Sequence, residues 1–289
     1  MMDQPAEHQP ERQDTTPEPG RFMHAESAKA AEGSDRDLFG NAPKGYVDWS
    51  HRRGEPRVFV LLWMIYLMGS TVLMFASMSR AYSISPEIIR PAARSMLVMV
   101  VLGFSVLWAL VRFSQRFDPS IRHRHVAHAL RDAMVLFVPM QAVIWPQAMP
   151  MLAGWPIDVV AAISALCLAW IMILAGVIAL GSASIERNNG HEFFRVLWML
   201  IVILIVFGAP MVAAVYPMGV EFGVDRPRVG WLLSPVTGLL EIVRDRRELG
   251  MSAKVFIEHW RLIIALMCVG MALLLIARAA EVARSKYRA

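Results

Sequence analysis

Charge, cysteine and catalytic signatures are scarce in this 289-residue chain. Only 18% of its residues are Asp, Glu, Lys or Arg, against 56% hydrophobic ones, and that balance excludes an ordinary soluble domain in favour of a chain solvated by lipid. Its two cysteines, Cys167 and Cys268, both sit in apolar runs, where a disulfide would have little to staple. No internal repeat is visible, which excludes solenoid and collagen-like architectures. The GxxxxGK[ST] pattern is missing, so the chain has no P-loop of its own, and the HExxH pattern is missing too.

Ionisable groups inside the apolar runs are equally scarce. A charge at membrane depth costs at least a few kcal/mol and is retained for a purpose. Gln141 and Gln147 are uncharged, Asp158 follows Pro156 at a boundary, and Arg112 and Arg261 are placed to snorkel from helix ends. No embedded acid pair, Ser/His dyad or His pair is visible, which argues against an ion antiporter, an intramembrane protease and a haem cytochrome. His123, His125 and His128 cluster in IRHRHVAHALRD, but Arg122, Arg124 and Arg131 interleave them, and flanking positive charge disfavours a cation site. No catalytic residue, metal ligand or cofactor-binding residue is therefore expected.

What is present is apolar length. About 20 mostly apolar residues span a bilayer, and six windows qualify: 58–78, 93–113, 133–155, 157–181, 193–217 and 260–279. The predicted fold class is all-α, a polytopic six-helix bundle over 57–289. Pro139, Pro146 and Pro150 fall in the third window, which is expected to be kinked or broken and packed inside the bundle. Residues 1–37 are acidic and polar, with too little aliphatic surface to offset chain entropy, and are expected to be disordered. They carry no secretory signal pattern, so insertion is expected to rely on the first span. Residues 38–56 read as a juxtamembrane segment broken by Gly40, Pro43 and Gly45.

The formal charge of +5 hides a division, because residues 1–56 sum to −4 and the remainder to +9. The positive charge lies between apolar runs, where it sets topology and meets lipid headgroups rather than nucleic acid. Placing both termini in the cytoplasm gives that side Arg52, Arg53 and Arg57, then Arg112 to Arg131, then Arg187 and Arg195, and finally Arg278 to Arg288. The long stretch between spans five and six, with Arg226, Arg228, Arg244, Arg246, Arg247 and Lys254, falls on the other side. Within it, residues 231–243 are apolar but too short to cross, and read as interfacial or re-entrant, with the ArgAspArgArgGlu run from Arg244 held in water. Ala161, Ala165 and Ala169 form a small-residue stripe that favours close helix approach, and the 20 methionines read as gap-filling.

Three stretches carry a resemblance: LeuGlySerAlaSerIleGluArg at 180–187, TrpLeuLeuSerProValThrGlyLeuLeu at 231–240, and AlaArgAlaAlaGlu after the sixth span. With the six-span layout over roughly 55–289, they resemble the membrane subunit of ABC-2 type transporters. The resemblance implies pairing with itself or a similar permease, as a homo- or heterodimer, and with a separate P-loop ATPase subunit. It implies ATPase contact at the basic loop of Arg116, Arg122, Arg124 and Arg131, and an outer re-entrant element at Trp231, Ser234, Pro235 and Leu239. The implied location is the cytoplasmic (inner) membrane, with lipid as a partner and no enzymatic activity in this chain. A non-transporting scaffold or assembly protein explains the missing intramembrane charge equally well. A lipid-modifying enzyme would have to draw on Asp118, Asp132 and the three loop histidines.

Overall fold

A computed structural model describes residues 56–78, 85–114, 124–188, 191–215, 227–246 and 252–286. The expected acidic tail, the juxtamembrane segment up to residue 55, Arg116, Arg122, Asp118, His123, Asn189 and Gly190 lie outside them. Lipid offers a backbone no hydrogen-bond partner, so each apolar run must satisfy its own amides and carbonyls, and a helix does so within one segment. Six helices are long and apolar enough to cross a membrane. The protein is all-α, a polytopic membrane protein.

The first span is α1, Pro56–Met78. The second is α2, Pro86–Leu102, continued by a π-helical turn, Gly103–Leu107, and by α3, Trp108–Ser114. The third is α4, His125–Ile144, which tightens into a 3₁₀ turn at Trp145–Ala148. The fourth is α5, Ile157–Arg187, and the fifth is α6, Glu192–Val215. Between the fifth and sixth come a 3₁₀ turn, Val229–Leu233, the half-length helix α7, Pro235–Ile242, and a two-residue antiparallel ribbon that pairs Asp245 with Ala253 and Arg246 with Ser252. The sixth span is α8, Ile257–Lys286.

The span limits differ from the sequence reading at several ends. The third span begins at His125 rather than 133, because its polar first turns are paired inside the protein, and its helical course stops at Ala148 rather than 155. Pro146 opens the 3₁₀ turn, which ends at Ala148 where Met149 turns extended; Gly154 then takes a φ of 61° and the Trp155 amide bonds back to the Gln147 carbonyl. The second span starts at Ile88, five residues before expectation, and the fourth and sixth run on to Arg187 and Ala283, where charged residues find partners at the bundle end.

The fourth span is the axis of the bundle, 78% buried over its apolar window, whereas the fifth is 11% buried. Its main partner is α8. A methyl group built on Gly176 would come within 2.6 Å of the Leu273 Cβ, and one on Gly270 within 2.8 Å of the Met172 Cβ. These two glycines therefore set the separation of the helices. Ala169 of the small-residue stripe is fully buried, while Ala161 and Ala165 are only partly so. The closest approach falls at the glycines instead.

Polar side chains satisfy and link the spans, in one case repairing what a proline removes. Pro210 cannot donate to the Val206 carbonyl one turn earlier, and the Ser234 hydroxyl donates to that carbonyl at 2.7 Å. On the third span, Gln141 accepts from the Ser164 hydroxyl at 2.7 Å and from the Trp145 indole at 3.1 Å, tying α4 to α5. The Trp63 indole donates to the Leu136 carbonyl at 3.0 Å, tying α1 to α4.

Candidate functional site

The bundle has two polar ends. The proximal end is where the first span begins; the distal end is where it finishes and where α7 sits. At the proximal end Arg112 grips Asp132 through Nε and Nη2, and the Trp108 indole donates to the same carboxylate at 3.2 Å. His125 Nε2 lies 2.7 Å from Glu186. Glu281, from the last turns of α8, accepts the Val126 amide at 2.8 Å and pairs with Arg278 at 2.9 Å. A carboxylate there satisfies an orphan amide at the start of α4 and meets the positive end of its dipole.

Asp132 is thus held by Arg112 and Trp108, and His125 by Glu186, which ties the start of the third span to the second and fourth. Among the described residues no group of three or more His, Cys, Asp or Glu is arranged to hold a metal. Of the four arginines expected at a partner contact, Arg124 and Arg131 are described and both are exposed. Arg124 stands at the start of α4 and Arg131 on its second turn.

The distal end holds the more organised cluster. Ser234 has an extended backbone and Pro235 is the first helical residue of α7, an arrangement in which the missing proline amide costs nothing. Ser234, Leu239, Ile242 and Val243 are fully buried, and Pro235 is buried with them. The helix packs against α2, α5 and α6, with the 3₁₀ turn before it against α8. Gly238 permits this, because a methyl group there would lie 3.0 Å from the Leu232 Cα. Trp231 is half-buried, with the Arg228 guanidinium 5.2 Å from its ring centre. All four residues expected in the outer element thus lie in one seated turn and half-helix.

The far end of α7 is held by charge. Arg94, from the second span, donates to the Val243 carbonyl through Nη2 at 2.8 Å and Nε at 3.1 Å, and pairs with Asp245 at 2.6 Å. A guanidinium on the last carbonyls complements the negative end of the helix. Arg90, one turn earlier, donates to the Ala153 carbonyl at 3.0 Å and lies 3.7 Å from Asp245. The second span thereby fixes both the half-helix and the turn between spans three and four.

Behind this lies Glu241, on α7. Its Oε1 accepts from the Arg228 amide at 3.0 Å and from Arg246 at 3.1 Å, with Arg244 at 3.3 Å. His259 is fully buried, and its Nδ1 faces the Phe256 amide at 3.3 Å, which leaves Nε2 directed at Glu241 from 3.7 Å. Arg246 is also fully buried, its guanidinium 4.7 Å from the centre of the Phe256 ring. Burial alone would push the Glu241 carboxyl up. The His259 imidazole, the Arg228 amide and the Arg244 and Arg246 guanidiniums outweigh it and hold the carboxyl below the usual carboxylate range.

The expectation that the Arg244–Glu248 run would be held in water is therefore overturned at Arg246. Its charge is enclosed because Glu241 supplies a counterion and Phe256 a π face. Sequence reasoning passed over Glu241, His259, Arg94 and Glu281. The signal for Glu241 was there: a lone acid inside an apolar stretch, with Arg244 three residues on and Arg246 five.

Fold and site together define a six-span α-helical membrane protein with a half-helix seated between its last two spans. Comparison with known proteins finds no matching family model, no matching curated protein and no matching solved structure.

Proposed function

We propose that this chain is the membrane permease subunit of an ABC-type transporter, moving its substrate with energy from a separate ATPase subunit. The observation that supports the reading is α7, a half-length helix seated among the second, fourth and fifth spans and pinned at its end by Arg94. An element of that length cannot cross the bilayer. Its rigid attachment to several spans suits a part that travels with one half of a rocking transporter. In this reading the distal end faces outward, both termini are cytoplasmic in the inner membrane, and a second similar permease completes the pathway. The exposed Arg124 and Arg131, with Arg116 and Arg122, are the contact for the ATPase.

The test is affinity purification of the full chain from its native host in mild detergent, with mass spectrometry of stoichiometric partners. A P-loop ATPase is expected at near-equal amount, and the Arg122→Glu/Arg124→Glu double variant is expected to lose it while reaching the membrane at normal abundance. Recovery of other membrane or envelope proteins without an ATPase would replace transport by a scaffold or assembly role.

A further inference from the structure

The first and second spans, with Leu136 of the third, line an apolar groove of about 340 Å³, whose walls include Leu62, Trp63, Tyr66, Gly103 and Leu107. The π turn supplies part of its wall. Gly103 opens that turn, and any side chain there would collide with the Tyr66 and Trp63 rings, the latter 2.8 Å from a built methyl group. Those rings stack on each other with centres 5.5 Å apart, and the Tyr66 hydroxyl is spent on the Met99 carbonyl at 2.6 Å. The groove therefore offers hydrocarbon and aromatic faces and no free polar group from Tyr66. Leu62 and Leu107, on its rim, are 54% and 43% exposed, so it opens sideways, away from the bundle core.

Its position picks the occupant. The lining runs from Phe59 to Tyr66 on α1, about 10 Å of helix rise, which is less than half of a hydrocarbon core about 30 Å thick. It lies in the proximal half of both spans, within one leaflet. At its proximal end the Arg112 guanidinium sits 5.8 Å from the Phe59 ring centre. The described cations Arg124, Arg131 and Arg187 are exposed at that same end of the bundle, beside Arg278, which pairs with Glu281. A surface of that sign concentrates anionic headgroups.

We propose that this groove is a lipid site: it holds one acyl chain of an anionic phospholipid from the proximal leaflet, with the headgroup over the basic end. The inference requires only that the spans cross a bilayer and is independent of the transporter reading. The full chain is reconstituted in nanodiscs containing trace phosphatidylglycerol or phosphatidylcholine with a photoreactive diazirine in the acyl chain, and labelled residues are mapped by mass spectrometry. Leu200 and Leu204 on the exposed face of the fifth span report ordinary boundary lipid.

Labelling at Leu62 and Leu107 is expected to favour the phosphatidylglycerol probe about fivefold, the effect of one arginine near a headgroup. Leu200 and Leu204 are expected to show less preference. Leu107→Trp, which fills the groove from its exposed rim, is expected to abolish the excess at Leu62 with the thermal midpoint unchanged. Because a folding defect would confuse that comparison, Leu204→Trp serves as the matched variant and is expected to leave the excess intact. Equal preference at both faces, or an excess that survives Leu107→Trp, would overturn the assignment and leave ordinary boundary lipid in its place.

Discussion

Glu241 and Arg246 show how a single side chain decides whether charge can be enclosed. An enclosed guanidinium without its carboxylate is costly, and breaking such a pair typically loses 3–5 kcal/mol. Glu241→Gln keeps the size of the side chain and removes the charge, so a loss of about 3 kcal/mol at neutral pH is expected, read as a lowered thermal midpoint in detergent. The pH dependence follows from the direction of the shift. A carboxyl held below its ordinary value stabilises the fold fully above the ordinary glutamate pKa of about 4.3, and that contribution is lost as pH falls through the lower value in the folded state. The midpoint of the native chain is expected to drop steeply below about pH 4.3, and the difference between native chain and Glu241→Gln to shrink over the same range. A difference that stays constant from pH 7 to pH 3 would remove Glu241 from the account.

At the scale of the helices, close approach and repaired backbone carry the packing. A Cβ at Gly270 would meet the Ile173 amide nitrogen at 2.9 Å as well as the Met172 side chain, and a backbone atom cannot swing aside as a flexible side chain can. Gly270→Ala is expected to cost about 1–3 kcal/mol as overpacking. Gly208, in the fifth span, has nothing within 4 Å of a built methyl group, and Gly208→Ala is expected to be neutral or to gain up to about 1 kcal/mol of helix propensity. Thermal midpoints of the two variants in one detergent make the comparison, and equal effects would show that the α5–α8 crossing is not set by that glycine.

The same elements show what the sequence makes legible. Apolar length is a one-dimensional signal, so all six spans and the short run at 231–243 can be read from it. The extension of α4 back to His125 cannot, because it depends on Asp132 meeting Arg112 across 20 residues. The seat of α7 depends likewise on Arg94 reaching Val243 across 149 residues. The Ser234 hydroxyl on the carbonyl left open by Pro210 is a third such case: each partner is visible alone, and the pairing is a fact of three dimensions. Small residues mark helix contact in general, but only the fold selects Gly176 and Gly270 over the alanine stripe.

For the whole molecule, the two ends are chemically different. The distal end encloses part of its charge, with Arg246, His259 and Glu241 buried and Arg90 and Arg94 paired to Asp245, while Lys254 and Arg261 are exposed there. The proximal end leaves Arg124, Arg131, Arg187 and Arg278 exposed. Counting Lys and Arg in sequence makes the long distal loop compete with the proposed cytoplasmic assignment of the proximal end; among the described residues the exposed cations at the proximal end outnumber the distal Lys254 and Arg261, and the positive-inside rule then predicts a cytoplasmic proximal end. Single-cysteine variants in a background with Cys167 and Cys268 replaced by serine test this directly. A cysteine at Lys254, an exposed distal position, is expected to react with a membrane-impermeant maleimide in intact cells. One at Gly190, in the connection between the fourth and fifth spans, is expected to react only after permeabilisation. The reverse pattern would invert the molecule and place the basic end outside, and reaction of both in intact cells would mean that the number of crossings between them is even rather than odd.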